Sequence, residues 1–155
     1  MAQLKTRHKV IGWILFLCYL VLLTYFLFFA EGFGREPEES KYRYNLTLFR
    51  EISRFYRYRR VVGMKAFLLN TVGNVVAFLP FGFFVPVVGW KKHNGYKTLL
   101  YGILFSLAIE FTQYMTGTGI FDVDDIFLNA CGCILGYLIF LLFSRKLRRK
   151  EDNEI

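Results

Sequence analysis

Apolar and polar positions along the 155-residue chain alternate on a long scale: four extended apolar blocks are separated by charged connections. The first block, Val10 to Ala30, carries no charge and is long enough to cross a hydrocarbon core of about 30 Å as a helix. Lys5, Arg7 and Lys9 precede it and Glu31 follows. A signal peptide starts the same way. This block, however, is longer than a signal core and ends Phe28-Phe29-Ala30-Glu31, a poor cleavage site, so it reads as an uncleaved anchor. The second block, Ala66 to Trp90, contains Asn70, Asn74, Pro80 and Pro86, and a kink is expected at one of the prolines. The third, Thr98 to Met115, contains one acid, Glu110. The fourth, Ile126 to Phe143, begins after Asp122, Asp124 and Asp125 and ends before Arg145, Lys146, Arg148, Arg149 and Lys150.

Helical spacing sorts the polar residues inside these blocks onto single faces. Gly102, Ser106, Glu110, Gln113 and Gly117 form one stripe, and Asp122, Asp125, Asn129, Gly132 and Gly136 form another. Asn70, Asn74 and Ala77 form a third. Each stripe is polar toward one end and small toward the other. The expected object is an all-α integral membrane protein: one domain, 1–155, built as a bundle of four transmembrane helices at about 10–30, 66–90, 98–115 and 126–143. Asn70, Asn74, Glu110, Gln113, Asp122, Asp125 and Asn129 would share a polar ligand pocket opening outward. The first span has no such stripe and is expected at the periphery. The loop 31–65 interleaves Arg50, Arg54, Arg57, Arg59 and Arg60 with Phe49, Ile52, Phe55 and Tyr56, the pattern of a short amphipathic helix lying on anionic headgroups.

Composition sharpens this picture. Hydrophobic residues make up 55% and aromatics 19%, with a mean hydropathy of +0.35, more than one soluble core of this size requires. Soluble enzymes and disordered chains are excluded. The formal charge of +8 would suit nucleic acid in another chain. Here the basic residues flank apolar blocks, so the bilayer is the partner and nucleic acid is not. Lys5, Arg7, Lys9, Lys91, Lys92, Lys97 and the C-terminal basic run fall on one side of a four-span chain, which places both termini in the cytoplasm. The 31–65 loop is the exception, with more bases than acids outside.

Among the candidate chemistry, Glu110 stands apart, because an acid inside a span costs about 2.5–3.5 kcal/mol and usually has a partner or a function. Glu110 and Asp125 are the candidate acid–base pair. Asp122, Asp125 and Glu110 are the candidate ligands of a divalent cation, the one cofactor considered. Asn70 and Asn74 serve equally well as interhelical glue, and Asp122 or Asp124 as a cap of the fourth helix. His8 and His93 lie on the cytoplasmic side, which removes a histidine base or zinc site from the pocket. Cys131 and Cys133 fall mid-span and read as small hydrophobes.

Four of these segments resemble, in order, the motifs of the VanZ-like family. They are Tyr44-Asn45-Leu46-Thr47-Leu48-Phe49, the run Asn70 to Gly82 with Asn74, Phe78, Pro80 and Phe81, the pair Glu110 and Gln113, and the series Asp122, Asp125, Asn129, Gly132 and Gly136. Leu48 stands where the family often has proline, and Thr116-Gly-Thr-Gly-Ile120 lacks an arginine found there in many members. The likeness covers about 42–140. It implies a bacterial multi-pass membrane protein of a family named for teicoplanin resistance. Three function classes follow. The first, which the resemblance favours, lowers susceptibility to lipoglycopeptides by acting at the outer leaflet on a lipid-linked cell-wall intermediate or on the drug. The second is an enzyme acting on a lipid headgroup through Glu110 and Asp125. The third is a membrane scaffold that recruits a partner through the polar face.

The charge distribution makes a topology prediction. In a cysteine-free background, a membrane-impermeant thiol reagent added outside intact cells labels Ser40→Cys and Thr118→Cys and spares Asn94→Cys. Labelling of Asn94→Cys would reverse the assignment.

Overall fold

The computed structural model describes residues 6–28, 44–62, 64–89 and 94–153, and it is helical nearly throughout. Five helices follow one another: α1 (Thr6–Phe28), α2 (Arg50–Val62), α3 (Met64–Val88), α4 (Gly95–Thr116) and α5 (Val123–Asn153). Four of them coincide with the four apolar blocks. The arginine-rich stretch forms α2, as its interleaving predicts. Lys5, the 31–43 segment with Ser40, and Trp90 to His93 lie outside the described residues.

Among the described residues, three helices are long and apolar enough to cross a membrane, at Lys9–Phe28, Phe67–Val88 and Val123–Lys146. The fourth, α4, has the length, but Glu110, Gln113 and Ser106 keep it less apolar than the others. α5 continues well past its apolar block into the basic tail. α3 runs on through both Pro80 and Pro86. Among the described residues, the helices are joined by one two-residue parallel pairing that the apolar pattern did not announce. β1 (Tyr44–Asn45) lies beside β2 (Phe121–Asp122), with Asn45 opposite Asp122.

Packing follows from the small residues. Gly132 of α5 lies against the Val75 carbonyl of α3, and Gly136 lies against the Leu79 carbonyl, so the two helices run in the same direction. On the other side of the contact, Gly82 of α3 meets the Cys133 carbonyl. A Cβ at any of the three would collide with backbone, and without side chains the helices approach closely enough for extensive van der Waals contact. α4 runs opposite to α5, with Gly102 against the Cys133 thiol and Gly95 against Tyr137. α1 runs opposite to α3, with Gly12 against Val87 and the Tyr19 hydroxyl donating to the Ala77 carbonyl at 2.7 Å. Direction therefore alternates in chain order: α1, α3, α4, α5.

Phe78, Phe81 and Phe105 fill the space between the helices around the fully buried Cys133, the Phe81 and Phe105 rings stacked at 4.9 Å. Phe16 of α1 joins edge-on to Phe81 at 5.7 Å. Away from Phe16 and Leu23, α1 exposes Val10, Ile11, Ile14, Leu15, Leu17, Val21 and Leu22. An apolar surface of that extent is unstable in water and stable against lipid.

The glycine contacts carry the first stability prediction. Gly132→Leu or Gly136→Leu forces the α3 backbone away from α5 and lowers the unfolding temperature in detergent sharply. Gly73 on α3 has nothing within 4 Å of its would-be Cβ. There, Gly73→Ala is neutral or stabilising by up to about 1 kcal/mol, from helix propensity alone.

Candidate functional site

The polar ends of α4 and α5 meet as the stripes require. Ser106, Glu110 and Gln113 of α4 and Asn129 of α5 are all buried, and the Asn129 amide donates to Ser106 Oγ at 2.8 Å. Antiparallel packing then brings Glu110 level with the start of α5, where Glu110 Oε2 accepts the Asp122 backbone N–H at 3.0 Å. On α3, the Asn74 amide donates to Asp125 Oδ1 at 2.5 Å. Asn70 sits half-buried one turn before it. Gln113 turns away from this group and donates to the Leu27 carbonyl at the end of α1 at 3.1 Å.

Asp122 and Asp124 organise the rest. Asp122 immediately precedes α5, and its Oδ1 accepts the Asp124 N–H at 2.8 Å, the geometry of a helix N-cap. The same oxygen accepts the Asn45 amide at 2.9 Å. Asn45 in turn uses its own Oδ1 to accept the Thr47 N–H at 3.1 Å, a side-chain turn that leads the chain into α2. Asp124, only 1% exposed, caps a different helix from the one it begins. Its carboxylate accepts the N–H groups of Glu51 at 2.8 Å and Ile52 at 3.2 Å, and that of Phe49. The first turn of α2 thus finds its acceptors on α5, and the buried carboxylate finds three donors and the positive end of a helix.

Phe49 pays for this arrangement with a φ of 64°, a left-handed conformation that bulky residues rarely adopt. Its ring contributes a contact in return, edge-on to Phe127 at 5.2 Å. Glu51, also buried, is reached by Arg54, whose guanidinium lies 2.7 Å away. Burial pushes the Glu51 carboxyl above the ordinary carboxylate range, with Arg54 opposing. Burial pushes Asp122 up as well, opposed chiefly by its bonds from Asp124 N–H and Asn45.

Of the side chains read from the sequence as one site, Asn129 pairs with Ser106, Asn74 with Asp125, and Glu110 with the Asp122 backbone. Asp125 faces Asn74. Among the described residues, no three acid, histidine or cysteine side chains are placed to hold a metal ion together, so the spacing of Glu110, Asp122 and Asp125 does not translate into a three-ligand cluster. Asn45, Glu51 and Ser106 belong to the network without having been singled out as site residues, and Asp124 was read only as a possible cap of its own helix. Asn129 Oδ1 and the Thr71 hydroxyl are buried without a hydrogen-bond partner among the described residues.

The raised acids make stability depend on pH. Asp122 and Glu51 bind protons more tightly in the folded protein than in the unfolded chain. Their contribution is therefore fully present below the ordinary carboxylate value of about 4 and is lost as pH rises through their higher folded values. Thermal unfolding in detergent is expected to show this decline between acidic and neutral pH. Asp122→Asn keeps an acceptor oxygen, removes the titrating group and flattens the profile.

Comparison with known proteins agrees with the motif likeness. No solved structure matches the chain. Protein VanZ of Enterococcus faecium is 25% identical over 84 residues, which cover 54% of this chain and 52% of that protein. The chain thus spans about half the length of this relative. The family described as VanZ/LLP1 matches residues 16–144, from within α1 to beyond the apolar part of α5. By that match the chain belongs to the VanZ/LLP1 family.

Proposed function

We propose that the protein crosses a bacterial cell membrane four times, through α1, α3, α4 and α5, with both termini in the cytoplasm. In this reading it lowers susceptibility to lipoglycopeptide antibiotics of the teicoplanin type by acting at the outer leaflet. Its target there is a lipid-linked cell-wall intermediate or the drug itself. The alternating direction of the four helices supports the span count. α4 contributes its less apolar sequence by burying Glu110, Gln113 and Ser106 against its neighbours, which removes the cost of exposing them to lipid. The charge distribution supports the orientation, and family membership supports the class of function.

One observation carries the reading furthest. At the end of the bundle where α4 finishes and α5 begins, buried Asp124 clamps α2 in place, so a fixed basic helix stands beside the polar ends of the spans. This end is the outer one in the proposed topology. A ligand with a phosphate-bearing head and an apolar tail would find both requirements there. The buried carboxylates are occupied by backbone N–H groups and amides, an arrangement that suits holding a surface in shape more than turning over a substrate.

Deleting the gene in its host is expected to lower the minimal inhibitory concentration of teicoplanin, with vancomycin as the comparison drug. Unchanged susceptibility to both removes the resistance role. Complementation with Asp124→Ala, which unfastens α2, restores little. Glu110→Gln keeps the shape of the acid and an acceptor for the Asp122 N–H, and retains resistance if the carboxylate only holds the chain. Loss of resistance in Glu110→Gln at unchanged thermal stability would point instead to charge or proton transfer at that residue.

A further inference from the structure

We propose that the outward arginine row of α2, with the apolar turn leading into it, is a docking surface for anionic phospholipid headgroups. The inference rests on the membrane placement just proposed and names the lipid class that meets this surface.

The 13-residue helix has two dissimilar faces. Glu51 is buried, Ile52 and Phe55 are half-buried, and these residues face the bundle. Tyr56 adds an edge-on contact to Phe67 of α3 at 6.3 Å. Arg50, Arg54 and Arg57 follow one another at helical spacing on the opposite side, and Arg60 lies next to them; all four are exposed. Glu51 pairs directly with Arg54 and also feels the charge of Arg50. The row is therefore a positive surface, and the acids near it are turned inward and occupied.

Just before the helix, Leu46 is 65% exposed, and Leu48 and Phe49 are each 48% exposed. Tyr58 is exposed beside the arginines. Exposed leucines next to a row of guanidinium groups offer an apolar and a cationic contact side by side, which an anionic lipid with its acyl chains can use together. Nucleic acid would meet the charge and leave the leucines in water. A free anion would make no use of them either. The clamp by Asp124 means that the row is already ordered before lipid arrives, so binding does not have to fold the helix.

The test uses the purified full-length chain in neutral detergent, titrated with phosphatidylglycerol or phosphatidylcholine in mixed micelles, with bound lipid counted by native mass spectrometry. Each arginine near an anionic surface is worth about fivefold in affinity. Phosphatidylglycerol is expected to bind at least about tenfold more tightly than phosphatidylcholine. The variant Arg50→Gln/Arg57→Gln/Arg60→Gln is expected to lose that preference; Arg54 is kept because it pairs with Glu51. The corresponding triple lysine variant retains most of the preference, which separates charge from folding, and Arg57→Gln alone gives a partial loss should the triple glutamine variant fail to fold. Leu46→Ser/Leu48→Ser weakens both lipids. Equal binding of the two lipids by the unaltered chain overturns the proposal. So does undiminished binding by the glutamine variant, or full displacement of phosphatidylglycerol by excess inorganic phosphate. Because lipid is counted on purified protein, failure here is distinguishable from an unchanged antibiotic susceptibility, which would sink the resistance role alone.

Discussion

A carboxylate shut away from solvent must be satisfied by the protein around it, and Asp124 meets that requirement with the first turn of α2. Much of the architecture at this end of the bundle depends on the bargain. The residue before α2 is Phe49, whose side chain cannot cap the N–H groups of Glu51 and Ile52. Among the described residues, no cation pairs with Asp124. Each supplies what the other lacks. Asn45 and Asp122 form a parallel second link a few residues away, and Glu110 secures the backbone of Asp122 from α4. Three elements distant in sequence are joined at one point by groups that are individually expensive to bury.

The glycine contacts play the complementary part deeper in the bundle. Among apolar helices in lipid there is no hydrophobic gain from association, so closeness of approach decides stability. Gly132 and Gly136 provide one side of the α3–α5 contact, and Gly82 provides the other. The polar network defines which ends meet, while the glycines define how near the helices come. Neither can substitute for the other: polar links alone would leave lipid-sized gaps, and close packing alone would not specify where α2 sits.

The helices were legible because apolar runs and stripe spacing are local properties of the chain. Blocks at 10–30, 66–90, 98–115 and 126–143 lie within α1, α3, α4 and α5 to within a few residues, and the interleaved arginines marked α2. The facing of Ser106 and Glu110 toward α5 was legible for the same reason. What could not be read was partnership. An aspartate at a helix start looks like that helix's cap, which is correct for Asp122 and misleading for Asp124, whose partners are 72 to 75 residues away. Gln113 shared a stripe with Glu110, yet its amide donates to the Leu27 carbonyl of α1. The β1–β2 pairing is too short to leave a period. The motif likeness contained the answer in one place, since it grouped Asn45 with Asp122, which binds it.

The distance along the chain between α2 and its cap also orders biosynthesis. The N–H groups of Phe49, Glu51 and Ile52 leave the ribosome well before Asp124, by roughly several seconds at ordinary translation rates of about 5–20 residues per second. In that interval the amphipathic segment has no seat, and only insertion of α5 provides one. Fastening of α2 thus waits for α5. A truncated or mis-inserted product would retain a loose basic helix and a buried acid without donors, a fault that membrane quality-control proteases could recognise from outside the bilayer.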